Sequence, residues 1–105
     1  MKLVPLKNKT VDFKGSGAHE GVTFVCKVLD PIESLKFRDL VEEAANAEGL
    51  RMFEIHQEVC ALGLSHATDE KGKEIESLEV EWFVYEDLSN FITKINRISI
   101  NNVKK

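Results

Sequence analysis

The pattern of apolar positions predicts one helix at the centre of the fold. Apolar residues are densest in residues 50–62, where they recur at spacings of three and four. They form a wide band on a helical wheel: Leu50, Phe53 and Cys60, with Met52, Ile55, Val59 and Leu62 beside them. A band this wide is typical of a helix that neighbours cover on more than one side. We therefore predict a central helix over residues 50–62, with the other elements packed around it.

A second helix is predicted directly before the central one. Asp30 can cap a helix, Pro31 fits its first position, and Glu33 completes a capping box three residues on. Apolar residues then follow at helical spacing as far as Ala45, and Gly49 is expected to end the helix as a C-terminal cap. Because the central helix follows at once, the two are expected to form a helical hairpin.

Alternating apolar residues predict strands on both sides of the helical hairpin. Residues 22–29 are rich in β-branched and aromatic side chains and, with the weaker signal of residues 10–13, predict an N-terminal β-hairpin. After the central helix, the turn signal at residues 69–72 predicts a second short β-hairpin. Alternation favours a strand in residues 78–85, and a helix that starts as early as Glu79 is the alternative.

The last predicted element is an amphipathic helix over residues 86–99, where Leu, Phe and Ile recur at helical spacing. Residues 100–105 are polar and are expected to fray. Residues 1–6 are expected to be a loose arm, which could extend to residue 10, or a short strand at the edge of a sheet, because Pro5 cannot donate a backbone hydrogen bond. The predicted fold is α+β and a single domain over residues 1–105. Its order is an N-terminal β-hairpin, a two-helix hairpin, a second short β-hairpin and a C-terminal amphipathic helix.

Composition narrows the classes of function. The chain has 105 residues, which is long enough for one hydrophobic core without support from disulfides or metal ions. Its fractions of apolar residues (43%) and charged residues (30%) are ordinary for a globular protein. The net charge of −4 argues against a nucleic-acid partner. No targeting segment or run of about eighteen apolar residues is present, so we expect a cytoplasmic protein with no membrane partner. Cys26 and Cys60 lie in apolar patterns and are expected to be buried free thiols.

No motif for catalysis or metal binding is complete. His56 and Cys60 are four residues apart, as metal ligands on a helix often are, but no further ligand motif accompanies them. Ser65, His66 and Asp69 have the residue types of a hydrolase triad, yet three residues this close rarely form one, and a polar turn is the ordinary interpretation. We therefore predict no catalytic residue, no metal and no cofactor.

Aromatic residues are the candidate partner-binding residues. Trp82, Phe83 and Tyr85 form the only dense aromatic cluster, and at least two of them are expected in the core. The functional alternative is an exposed anchor, because Trp and Tyr are favoured at interfaces. With Phe91 of the last helix, these three are our candidates for contact with a partner protein.

Residues 58–75, EVCALGLSHATDEKGKEI, resemble a segment of small phage tail assembly chaperones. In that family an apolar run precedes an acidic Gly-Lys turn and a further Leu or Ile, and an amphipathic helix closes the chain. Two features depart from the family pattern: the spacer at residues 65–68 is longer, and a glutamate-rich run follows Ile75.

The resemblance implies a non-enzymatic role. Such chaperones bind the long helical tape-measure protein in the host cytoplasm and keep it soluble while the tail polymerises. Several self-associate, and a ribosomal frameshift often adds a domain that recruits the tail-tube protein. Lys104 and Lys105 permit an A-rich slippery sequence, and an apolar groove between helices would suit a partner's amphipathic helix. The alternative is a homo-oligomeric phage structural or adaptor protein with the aromatic cluster as its interface.

Overall fold

The computed structural model describes residues 1–3 and 9–103, and within them the fold is α+β, as predicted. Its elements are β1 (Thr10–Lys14), β2 (Thr23–Lys27), α1 (Pro31–Ala44), α2 (Gly49–Gly63), β3 (Leu64–Thr68), β4 (Glu74–Ile75) and α3 (Trp82–Val103), with a 3-10 turn at Gly17–His19. The predicted edge-strand proline, Pro5, and the terminal lysines lie outside the described residues.

The four strands form one antiparallel sheet in the order β1-β2-β3-β4. The helical hairpin α1–α2 is inserted between the neighbouring strands β2 and β3. Phe24 and Cys26 of β2 are buried on the face that the helices cover, whereas Asp12, Val25 and His66 form a row on the opposite face. A register shift beside Val25 leaves Ser65 as the extra residue of a β-bulge.

The core lies between the covered face of the sheet and the three helices. Its buried apolar residues come from both layers: Phe24, Cys26, Leu29, Phe37, Ile55, Val59, Cys60, Ala67, Val84, Leu88 and Ile92. Helices α2 and α3 approach each other closely at Gly63, the last residue of α2. A β-carbon there would stand 2.4 Å from Cγ2 of the buried Ile92 in α3. Helix α2, predicted at the centre, therefore meets α3 so closely that only glycine fits.

The predicted capping box at the start of α1 is confirmed. The Glu33 N–H donates to the Asp30 carboxylate at 2.7 Å, and the Asp30 N–H donates to the Glu33 carboxylate at 3.2 Å. Glu33 also pairs with Lys27 at the end of β2, with 2.8 Å between Nζ and Oε2. This local sequence therefore fixes how the chain turns from the sheet into the first helix.

The prediction that Gly49 ends α1 is wrong. The helix already ends at Ala44, where successive i to i+3 hydrogen bonds, such as that from the Ala45 N–H to the Glu42 carbonyl, tighten the last turn. Gly49 is instead the first residue of α2, with a φ of +55°. The chain turns into the second helix through this left-handed backbone conformation. Glycine suits the position because other residues adopt that conformation only with strain.

The second β-hairpin is shorter than predicted. Its turn forms as expected, since Asp69 Oδ1 accepts the N–H groups of Lys71 and Lys73, both at 2.9 Å. A strand over residues 78–85 is wrong, however: β4 ends at Ile75, and α3 begins at Trp82. The alternation in this stretch is overridden because the residues that α3 buries, from Val84 onward, recur at helical spacing.

One buried amide joins α3 to the end of the sheet. Asn96 is 2% exposed, and its Oδ1 accepts the Leu29 N–H at 2.9 Å. Its Nδ2 donates to the Ile92 carbonyl at 2.9 Å and to the Lys27 carbonyl at 3.5 Å. Because each polar atom of the amide is paired, burial carries little penalty, and the β2–α1 connection is held against α3.

We predict that Asn96→Ala lowers the free energy of unfolding by roughly 1–3 kcal/mol, because the buried Leu29 N–H loses its acceptor. The exposed Asn90 on the same helix is the matched control, and Asn90→Ala should change the free energy of unfolding by less than about 0.5 kcal/mol. Urea denaturation followed by circular dichroism measures both. Equal losses for the two variants would contradict the anchoring role of Asn96.

Candidate functional site

The three helices line a cleft of about 510 Å³, which we call the interhelical groove. Its lining residues are Val41, Ala44 and Ala45 of α1, Met52, Ile55, His56 and Val59 of α2, and Glu86, Ser89, Asn90, Thr93 and Arg97 of α3. Helices α1 and α2 supply mostly apolar side chains, and α3 supplies polar ones. The groove is therefore amphipathic in cross-section.

Polar groups at the base of the groove are already paired with one another. His56 Nδ1 lies 2.9 Å from the hydroxyl of the buried Ser89, and the Thr93 hydroxyl donates to the Ser89 carbonyl at 2.8 Å. A nucleophile–base pair also needs a third group that orients the base. Among the described residues, no carboxylate is hydrogen-bonded to His56. The pair is best explained as a contact that joins α2 to α3.

The α3 side of the groove continues beyond its lining residues. Glu86, Asn90, Thr93 and Arg97 recur at spacings of four, three and four, so they share one helix face. Trp82 lies four residues before Glu86 and so belongs to the same face. Its side chain is 65% exposed. This face of α3 therefore runs from the exposed indole of Trp82, at the N-terminus of the helix, to the guanidinium of Arg97.

Trp82 and Phe83 are both exposed, so the expectation that at least two of the aromatic cluster lie in the core is wrong. The Phe83 side chain is 44% exposed, and the two rings meet edge-on with centroids 6.4 Å apart. Of the three residues in the cluster, only Tyr85 is partly buried. Its ring packs edge-on against that of Phe53 on α2, with ring centroids 5.9 Å apart. Because these residues begin α3 rather than form a strand, Trp82 and Phe83 lie together on the exposed side, whereas Tyr85 turns toward α2.

The fourth candidate residue, Phe91, lies elsewhere in the fold. Its ring packs 4.9 Å from that of Phe13 on β1, at the outer edge of the sheet, and is only partly buried. The four aromatic residues predicted to contact a partner therefore do not form one surface. Of the four, only Trp82 shares the α3 face that lines the groove, and Phe91 belongs to the edge of the sheet.

An ion pair on the surface links the two helices that form the apolar side of the groove. The Arg51 guanidinium on α2 hydrogen-bonds to the Glu43 carboxylate on α1 and lies 3.2 Å from Glu58. The hydrogen bond to Arg51 lowers the pKa of the Glu43 carboxyl group. Because this pair is exposed, it contributes little to the stability of the fold.

The residues considered for metal binding and catalysis do not assemble into a site. Among the residues that the structure describes, no three His, Cys, Asp or Glu side chains come together as metal ligands. Ser65 Oγ lies 3.0 Å from His66 Nδ1, but the Asp69 carboxylate accepts hydrogen bonds within its own turn. This geometry agrees with a polar turn rather than a catalytic triad.

Both cysteines are buried, as their apolar surroundings predicted. Burial raises the pKa of the Cys26 thiol to about 11, and the nearby Asp12 adds to the effect. Burial likewise raises the pKa of Cys60 to about 12, with a smaller contribution from Cys26. Since the thiolate is the reactive species, neither side chain has the properties of a nucleophile at neutral pH.

Comparisons with known proteins found no relative of the chain. No family model matches it, and neither curated proteins nor solved structures gave a significant match. Within the described part of the chain, no helix combines the length and apolarity needed to cross a membrane.

We predict that the free energy of unfolding falls as the pH rises from 9 to about 11, because unfolded thiols ionise while Cys26 and Cys60 stay protonated in the folded state. The double variant Cys26→Ala/Cys60→Ala lacks these thiols, and its stability should fall less over the same range. Urea denaturation at several pH values measures both slopes. Identical slopes would show that the thiols are not the buried titrating groups.

Proposed function

We propose that this protein is a non-enzymatic tail assembly chaperone of a phage or prophage, which holds a helical segment of the tape-measure protein in the interhelical groove. The observation that carries the proposal is the groove itself: a cleft between three helices with an apolar wall from α1 and α2. The exposed Trp82 lies one helical turn before Glu86 on the α3 face that lines it. A cleft of this kind suits the apolar face of an amphipathic helix.

The shape of the groove supports a helix as the occupant. An amphipathic helix presents apolar side chains at positions i, i+3 or i+4, and i+7. Ile55 and Val59 form a buried apolar base one helical turn apart, and Met52 and Val41 are partly exposed beside them. A volume of about 510 Å³ accommodates a few such side chains rather than a whole domain. Trp82 provides a large anchor at one end, as aromatic residues do at many interfaces.

The charges along the groove favour one orientation of the partner helix. Glu86 and Arg97 lie on the same face of α3, about three helical turns apart. A partner helix with a basic residue near Glu86 and an acidic residue near Arg97 would therefore be preferred. Because His56 and Ser89 satisfy each other at the base of the groove, the partner need not supply polar groups there.

The tape-measure protein is proposed as the partner because residues 58–75 resemble the tail assembly chaperones described above. A tape-measure protein is long and largely helical, so its unassembled apolar faces need temporary cover. On this proposal the protein acts in the cytoplasm of the bacterial host. A frameshifted extension after Lys105 would bring in the tail-tube protein, and sequencing of the gene across its stop codon would reveal it.

We predict that co-expression with the tape-measure protein of the same genome yields a soluble complex that purifies together. Met52→Glu should weaken binding of a helical tape-measure segment by roughly tenfold or more, because the carboxylate would lose water against the apolar wall. Trp82→Ala should weaken it too, through loss of the anchor. Calorimetric titration measures the dissociation constants.

The matched control is Leu50→Glu, on the same helix two residues from Met52. Leu50 is 75% exposed and does not line the groove, so this variant should bind like the wild type. Circular dichroism should show that all three variants are folded. Absence of any complex with the wild type, or equal losses for Met52→Glu and Leu50→Glu, would contradict the proposal.

A second candidate function is a homo-oligomeric structural or adaptor protein of the phage. The exposed rings of Trp82 and Phe83, which meet edge-on, favour it, because aromatic side chains such as Trp are enriched at the centres of interfaces. In that case Trp82→Ala would dissociate an oligomer of the wild-type protein. If the chaperone proposal is correct, the same variant would lose only the tape-measure partner.

A further inference from the structure

Strand β1 is the first strand of the described sheet, so one of its sides forms an edge of that sheet. The Gly15 N–H donates to the Val22 carbonyl across the first hairpin at 2.8 Å. Because pairing alternates along a strand, the backbone groups of Thr10, Asp12 and Lys14 point away from β2. No strand among the described residues pairs with this side of β1. An edge of this kind is a template for pairing with another strand.

We propose that two copies of this protein dimerise through β1. The two strands pair antiparallel about a two-fold axis, so that one sheet runs through both copies. In this arrangement Asp12 of each copy lies opposite Lys14 of the other, and each pair exchanges both of its backbone hydrogen bonds. The dimer uses no residue of the interhelical groove and therefore does not depend on the proposed function.

The charges on the edge select this register. Asp12 and Lys14 are exposed and project from the sheet face opposite the helices. An antiparallel copy offers the same two charges in reverse order, so both cross-strand pairs are attractive. In the register with Asp12 opposite itself, two carboxylates would repel. The Lys14 ammonium group now donates to the Thr23 hydroxyl at 3.0 Å and needs only a side-chain rotation to reach the other copy.

Apolar side chains at the same edge are incompletely covered. Phe13 lies between the two charged residues and points to the helical side, where it packs against Phe91 at 4.9 Å. Ile95, one turn further along α3, is also only partly buried. In the proposed dimer Phe13 lies on the two-fold axis in a non-hydrogen-bonded pair, where cross-strand side chains come closest. The second copy would therefore cover this apolar flank.

Charged residues often protect an edge strand from pairing. Such charges disfavour pairing when they lose water or meet a like charge on the second strand. The charges on β1 have opposite signs at alternate positions and are self-complementary in the register proposed. We therefore assign them to recognition of a second copy rather than to protection.

Sedimentation velocity of the full chain tests this proposal with charge-reversal variants. We expect the wild type to dimerise, and Asp12→Lys or Lys14→Asp to raise the dissociation constant of the dimer by roughly tenfold or more. The double variant Asp12→Lys/Lys14→Asp restores both attractive pairs and should recover the wild-type constant. A mixture of the two single variants should form a heterodimer more tightly than either forms a homodimer.

Two controls separate this surface from others. Asp39→Lys reverses an exposed charge on α1 and should leave the dimer unchanged, as should Trp82→Ala. Circular dichroism confirms that each variant is folded. A wild type that stays monomeric at millimolar concentration would overturn the proposal. So would a double variant no better than the single ones, or a dimer that Trp82→Ala dissociates.

Discussion

The structure depends most on the buried amide of Asn96. This amide places α3 against the connection between β2 and α1. It accepts from the Leu29 N–H of that connection and donates to the carbonyls of Lys27, at the end of β2, and of Ile92, on α3. A buried amide with fixed partners sets both the depth and the rotation of the helix that carries it. That rotation turns Ser89 toward α2, Phe91 toward β1 and Arg97 to the end of the groove.

A steric constraint acts beside this polar one. Helix α2 passes into β3 with no residue between them, and Gly63 at this junction lies against Ile92. The absent side chain allows α2 and α3 to approach closely at this end, while α1 covers the other side of α2 through the buried Phe37. The groove is thus the space left where three helices share one sheet, and its base consists of core residues that cannot move far.

Much of this fold follows from local sequence, because its signals are local in origin. The capping box at Asp30, the turn at Asp69 and the wide apolar band of α2 each depend on residues within a few positions. The start of α3 could not be predicted in this way. Apolar and polar residues alternate over residues 78–85 as in a strand, but the helix is decided by the burial of apolar side chains further along the chain, from Val84 to Ile92. The role of Asn96 is also invisible locally: its partner Leu29 is 67 residues away, and nothing nearby distinguishes it from the exposed Asn90.

The candidate site was accessible to sequence analysis only in outline. An apolar groove between helices was expected, but its lining depends on how α1, α2 and α3 pack, and so does the separation of Trp82 from Phe91. The most direct test is a nuclear magnetic resonance titration of the labelled protein with a helical tape-measure peptide. Our account predicts amide shifts concentrated at Met52, His56 and Thr93. Shifts confined to the open face of the sheet, or none at saturating peptide, would contradict it.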